Sequence, residues 1–67
     1  MNLDIEAIRY LRRKIETESA VFVQVLSSGG AKSYDEYRET AGVIRGLAIS
    51  DSILSDLEQK LRANEDE

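Results

Sequence analysis

A chain of 67 residues with 13 acidic and 9 basic side chains, a net charge of −4, and neither cysteine nor histidine has few routes to stability or catalysis. Domains below about 70–80 residues usually lean on disulfides, a metal or a partner chain. The missing cysteines exclude disulfides and thiolate metal sites, so oligomerisation is the remaining remedy. The missing histidine removes the commonest general base and zinc ligand. The acidic balance argues against a nucleic-acid partner, and no apolar run approaches the ~20 residues that span a membrane.

One stretch punctuates the proline-free chain, SSGGAKS at 27–33, and it divides the chain into two segments. The first, residues 3–26, reads as a helix. Asn2 can cap it, and Asp4 and Glu6 lie where the helix dipole favours anions. Ile8, Leu11, Ile15, Phe22 and Val25 recur at three- and four-residue intervals, with Glu18 interrupting the stripe. Arg12–Glu16 and Lys14–Glu18 are i,i+4 pairs, each contributing a few tenths of a kcal/mol. AVFVQVL, residues 20–26, is β-branched and has strand character. A strand needs a partner, and AKSYDEYRE beyond the glycines offers none, so the helix is extended through it.

The second segment, residues 34–62, opens on a capping box: Ser33 as N-cap, with Glu36 reaching back to its amide. Lys60 and Arg62 suit the negative end of the dipole. ANEDE, residues 63–67, reads as an acidic frayed tail. Two helices joined by a short turn pack antiparallel, so the expectation is an all-α chain with one domain, a helical hairpin over residues 1–62.

The second helix is apolar on more sides than one partner can cover. Val43, Leu47, Leu54, Leu57 and Leu61, with Ser50 among them, form one stripe. Tyr34, Tyr37, Ala41, Ile44 and Ala48 form another. Ile49 and Ile53 lie on a third side beside Gly42 and Gly46. Each of those glycines costs a helix interior about 1 kcal/mol relative to alanine, and their spacing suits close approach of a second backbone, within the hairpin or across an interface. In a hairpin turning near Gly30, Gly42 stands opposite Ser19 and Ala20, Gly46 opposite Ile15, and Asp51 near Arg9 and Tyr10. Exposed isoleucines and leucines forfeit roughly 1.5–3 kcal/mol each, so the chain is expected to form a homo-oligomer. A dimer closing into a four-helix bundle is the simplest solution, with a higher oligomer as the other. The candidate interface is Gly42, Gly46, Leu47, Ile49, Ile53 and Leu54, with Tyr34 and Tyr37 either anchoring it or stapling the helix start over the turn.

Chemistry-bearing patterns are sparse. VFVQVLSSGGAKSYDEY has the order strand, glycine loop, Lys-Ser, helix, but a phosphate-binding loop ending at Lys32-Ser33 needs glycines where Leu26 and Ala31 stand. Asp35, Glu36 and Glu39 belong to a helix start rather than to an acid–base pair. No catalytic constellation, metal site or cofactor site emerges, and the reading is non-enzymatic. RYLRRK, residues 9–14, is the one basic cluster. Arg9, Arg12, Arg13 and Lys14 are either a patch for a charged partner or a solvated face paired with Glu16, Glu18 and Asp51.

Residues 27–61 resemble a group of small tailed-phage proteins, through a Gly-containing turn, a Tyr-Arg pair, Gly-x-Ile-x-Gly-Leu and an amphipathic acidic helix. The matching residues are Gly29, Gly30, Tyr37, Arg38, Gly42, Ile44, Gly46 and Leu47. Such proteins are encoded among head and DNA-packaging genes, so the resemblance implies a virion-assembly or infection accessory role and supplies no catalytic residues. The expectation is therefore a self-associating interaction module that docks on a larger protein assembly, in the host cytoplasm and also in the virion if it is phage-encoded. The alternative is a small regulator that binds a host protein or nucleic acid through Arg9–Lys14.

Overall fold

The computed structural model describes residues 4–65. They form two antiparallel helices, α1 (Ile5–Ser27) and α2 (Tyr34–Glu65), in a rod of 52 × 20 × 15 Å. The all-α hairpin expected from the sequence is the observed architecture.

α1 begins at Asp4, whose extended backbone (φ −95°, ψ 175°) lets its carboxylate accept from the Ala7 N–H at 2.8 Å. Asn2, the expected cap, lies outside the described residues. The β-branched stretch 20–26 is helical throughout: Phe22 and Leu26, four residues apart, are half-buried in the hairpin, and no strand exists among the described residues to pair with it. The helix closes on a Schellman turn. The Gly30 N–H donates to the Val25 carbonyl at 2.8 Å, and the Gly29 N–H to that of Leu26 at 3.3 Å. Gly29 takes φ +75°, a left-handed conformation that disfavours any side chain. A Cβ on Gly30 would stand 2.9 Å from Val25 Cγ1 and 3.0 Å from the Val25 oxygen, so both glycines are needed where they are.

α2 begins as its capping residues imply. Ser33 Oγ accepts from the Glu36 N–H at 3.1 Å. The return bond differs by one residue: Glu36 accepts from the Lys32 N–H at 2.7 Å rather than from Ser33. The helix runs on to Glu65, so residues 63–65, expected as a frayed tail, continue its last turn. Residues 66 and 67 lie outside the described residues.

The two helices meet along a heptad seam. On α1 the inward positions are Ile5, Ile8, Arg12, Ile15, Ser19, Phe22 and Leu26, all half-buried except Ile8, which is fully buried. On α2 they include Thr40, Ile44, Leu47, Asp51, Leu54, Glu58 and Leu61. Arg12 pairs with both Asp51 and Glu58, one heptad apart, and so stands level with Leu54. That register sets Phe22 level with Ile44 and Ser19 level with Leu47. It corrects the expected register, since Asp51 is level with Ile15 and not with Tyr10, a slip of about five residues. It also corrects the expected stripe on α1. Ile8, Ile15 and Phe22 lie in the seam, whereas Leu11 and Val25 sit on its edge, 39 % and 36 % exposed, and Glu18 points to solvent.

Candidate interaction surfaces

A heptad helix that contacts one partner should be polar at the positions opposite its seam. α1 obeys in part: its outward row is Tyr10, Lys14, Thr17, Val21 and Gln24, in which polar residues separate the exposed Tyr10 and Val21. α2 does not. Its outward row carries Gly42, Gly46, Ile49 and Ile53, and the two isoleucines are 53 % and 63 % exposed. A Cβ built on Gly42 or Gly46 meets nothing within 4 Å. The glycines therefore do not bring α1 and α2 together, which corrects that half of the sequence reading; the seam simply runs along the other side of the helix.

The remaining candidate interface residues divide. Leu47 and Leu54 are half-buried in the hairpin seam, so they belong to the fold rather than to the outward face. Tyr34 and Tyr37 are 72 % and 51 % exposed, so Tyr34 does not staple the helix start over the turn. Its ring instead faces the Arg38 guanidinium, 5.9 Å from the centroid.

The basic cluster is largely spent inside the hairpin. Arg12 donates from Nε to Asp51 Oδ1 at 3.0 Å, and more weakly to Asp51 Oδ2 and Glu58 Oε1, each at 3.4 Å. The hydrogen bond to Asp51 holds the guanidinium proton more tightly than usual. Arg9 Nε lies 3.5 Å from Glu58 Oε2. Lys14 Nζ sits 5.6 Å from the Tyr10 ring centroid. Arg13 alone of the four has neither an ion pair nor an aromatic face among the described residues. Asp51 belonged to the expected pairing of this cluster; Glu58, the mostly buried partner that Arg9 and Arg12 share, did not. Its signal was present in the sequence, since Asp51 and Glu58 are one heptad apart in line with Ile44.

Beside the seam, small side chains leave an open groove of about 760 Å³. Arg9, Arg13 and Glu16 border one end of it, and Ala20, Val23 and Ala48 line the other. No metal-holding group of three or more acidic, histidine or cysteine residues exists among the described residues. No described helix is long and apolar enough to cross a membrane. No protein-family model, curated protein or solved structure matches the chain.

The shape leaves much surface uncovered. The chain exposes 5446 Å², where a compact monomer of 7.5 kDa exposes about 4,200 Å². Its radius of gyration is 15.3 Å against about 11 Å for a compact domain of this length. The difference in surface exceeds the roughly 800 Å² per partner that a standard protein interface buries.

Proposed function

We propose that this chain is a non-enzymatic, self-associating helical interaction module. The observation that carries this reading is the outward face of α2, where Ile49 and Ile53 stand exposed beside two glycines with open space above them. Among the described residues Ile8 alone is fully buried, a small core for an independent fold. A second copy is the source of cover that requires no other molecule. The resemblance of residues 27–61 to tailed-phage proteins supports placing the module in virion assembly or infection, docked on a larger protein assembly. Light scattering at micromolar concentration tests the core of the proposal: a dimer or larger species supports it, and a well-folded monomer refutes it.

A second reading rests on Arg13 and the groove. Arg9 and Arg13 flank an open, partly apolar channel, as a regulator that binds an acidic helical segment would require. Against it, Arg9 and Arg12 are already paired within the hairpin. Charge reversal at Arg9 and Arg13 separates the readings. Loss of partner capture with the oligomer intact favours regulation; an unchanged pull-down leaves the cluster as a solvated face.

A further inference from the structure

We propose that two copies meet α2 against α2, antiparallel, about a two-fold axis passing between residues 47 and 48. This inference rests on the self-association proposed above and adds its face and register. The outward row Gly42, Gly46, Ile49, Ile53 has the four-three-four spacing of a heptad seam of its own, set opposite the first. A helix with two such seams can hold α1 on one side and a second helix on the other.

The row is self-complementary in one orientation. Turned end for end, each copy places Ile53 against Gly42 of the partner copy and Ile49 against its Gly46. All four apolar layers then match one isoleucine with one glycine, the knob-and-hole pairing a two-fold interface requires. A parallel pairing would stack glycine on glycine and isoleucine on isoleucine, leaving two layers open and two crowded. The space above both glycines is free to receive a side chain. Beyond the apolar layers, Lys60 comes level with Asp35 of the partner copy, an attraction. Glu39 comes level with Asp56, a like-charge layer that limits the contact to its apolar centre. The outward row of α1 also exposes Tyr10 and Val21, but Lys14 and Thr17 separate them and Gln24 follows, so it holds no continuous apolar stripe.

This places the four helices of a dimer in the order α1, α2, α2, α1, because the exposed isoleucines lie opposite the hairpin seam rather than on its flank. The extended hairpin exposes more surface than a compact chain of its mass, and the outward face of α2 is part of that surface.

The chain has no cysteine, so introduced ones report without background. Chains carrying Gly42→Cys, Ile53→Cys, Gly46→Cys or Ile49→Cys are oxidised singly and in pairs, then run without reductant beside light scattering. The antiparallel register is expected to cross-link Gly42→Cys chains with Ile53→Cys chains, and Gly46→Cys with Ile49→Cys. It leaves Gly42→Cys alone and Ile53→Cys alone uncross-linked. A dimer in which Gly42→Cys chains cross-link to each other would overturn the register and leave self-association standing. A monomer at all concentrations would overturn both.

Discussion

Arg12 Nε donates to Asp51 Oδ1 at 3.0 Å across 39 residues of sequence, and the same guanidinium reaches Glu58 one heptad further along α2. Three charged side chains thus occupy inward positions of the seam. Glu58, with 12 % of its side chain exposed, is the most enclosed. Such a cluster adds little net stability over well-packed apolar residues, but it penalises every register in which the charges do not meet.

Removing Arg12 alone should therefore be worse than removing all three charges. Arg12→Ala is expected to lower the melting temperature, because Asp51 loses its guanidinium partner and Glu58, in an enclosed position, keeps only Arg9 of the two arginines beside it. The triple variant Arg12→Leu, Asp51→Leu, Glu58→Leu should recover that loss or exceed it while broadening the distribution of helix registers. Thermal melts with paired spin labels on α1 and α2 measure both. The folded-state pKa of Arg12 is raised by its hydrogen bond to Asp51, so its contribution is fully present below the ordinary arginine range and is lost only as pH rises through the folded value. The difference between wild type and Arg12→Ala arising from that guanidinium proton should accordingly be flat across neutral pH.

The turn glycines should be costly to replace. Gly29→Ala forces a side chain into φ +75°, and Gly30→Ala brings a Cβ against the Val25 oxygen. Each is expected to destabilise the hairpin by about 1 kcal/mol, a fall in melting temperature of roughly 4–8 °C for a chain of this size. Differential scanning calorimetry provides the check.

The helix glycines should behave in the opposite way. Gly46→Leu meets no neighbour within the hairpin and removes a helix-interior glycine, so the isolated hairpin should gain about 1 kcal/mol. The same leucine fills the space meant for Ile49 of a second copy and should weaken association. A rise in melting temperature under dilute conditions, together with a smaller species by light scattering, is the expected signature. Unchanged oligomer size would make the glycine incidental.

That contrast shows what the sequence could and could not convey. Both helices and their turn were legible because local chemistry marks them: the Ser33–Glu36 cap, the paired glycines, and apolar residues at helical spacing. The seam was harder to read because its middle is charged. Hydrophobic patterning passes over Arg12, Asp51 and Glu58, so it split the inward face of α2 between two stripes, one holding Leu47, Leu54 and Leu61, the other Ile44. The Schellman turn then set a register about five residues from the one drawn around Gly30, which moved Gly42 and Gly46 from facing α1 to facing solvent. The third apolar side, Ile49 and Ile53, was legible as unpartnered and is unpartnered in the hairpin.

Glu39→Lys should strengthen the proposed dimer. In the antiparallel register it converts two Glu39–Asp56 repulsions into attractions, worth roughly a fivefold tighter dissociation constant for exposed pairs. Asp56→Lys should do the same, and the double variant should lose the gain. In a parallel pairing neither single change helps, since each places lysine against lysine. Sedimentation equilibrium at low salt distinguishes these outcomes.

The most direct measurement compares the wild-type chain with Ile49→Lys/Ile53→Lys by light scattering and circular dichroism over a micromolar concentration series. Both substituted positions are exposed in the hairpin, so helicity should be retained. Self-association through the outward face of α2 requires a wild-type dimer or larger species and a helical, monomeric variant. A wild-type monomer, or a variant that associates as strongly as the wild type, would contradict it.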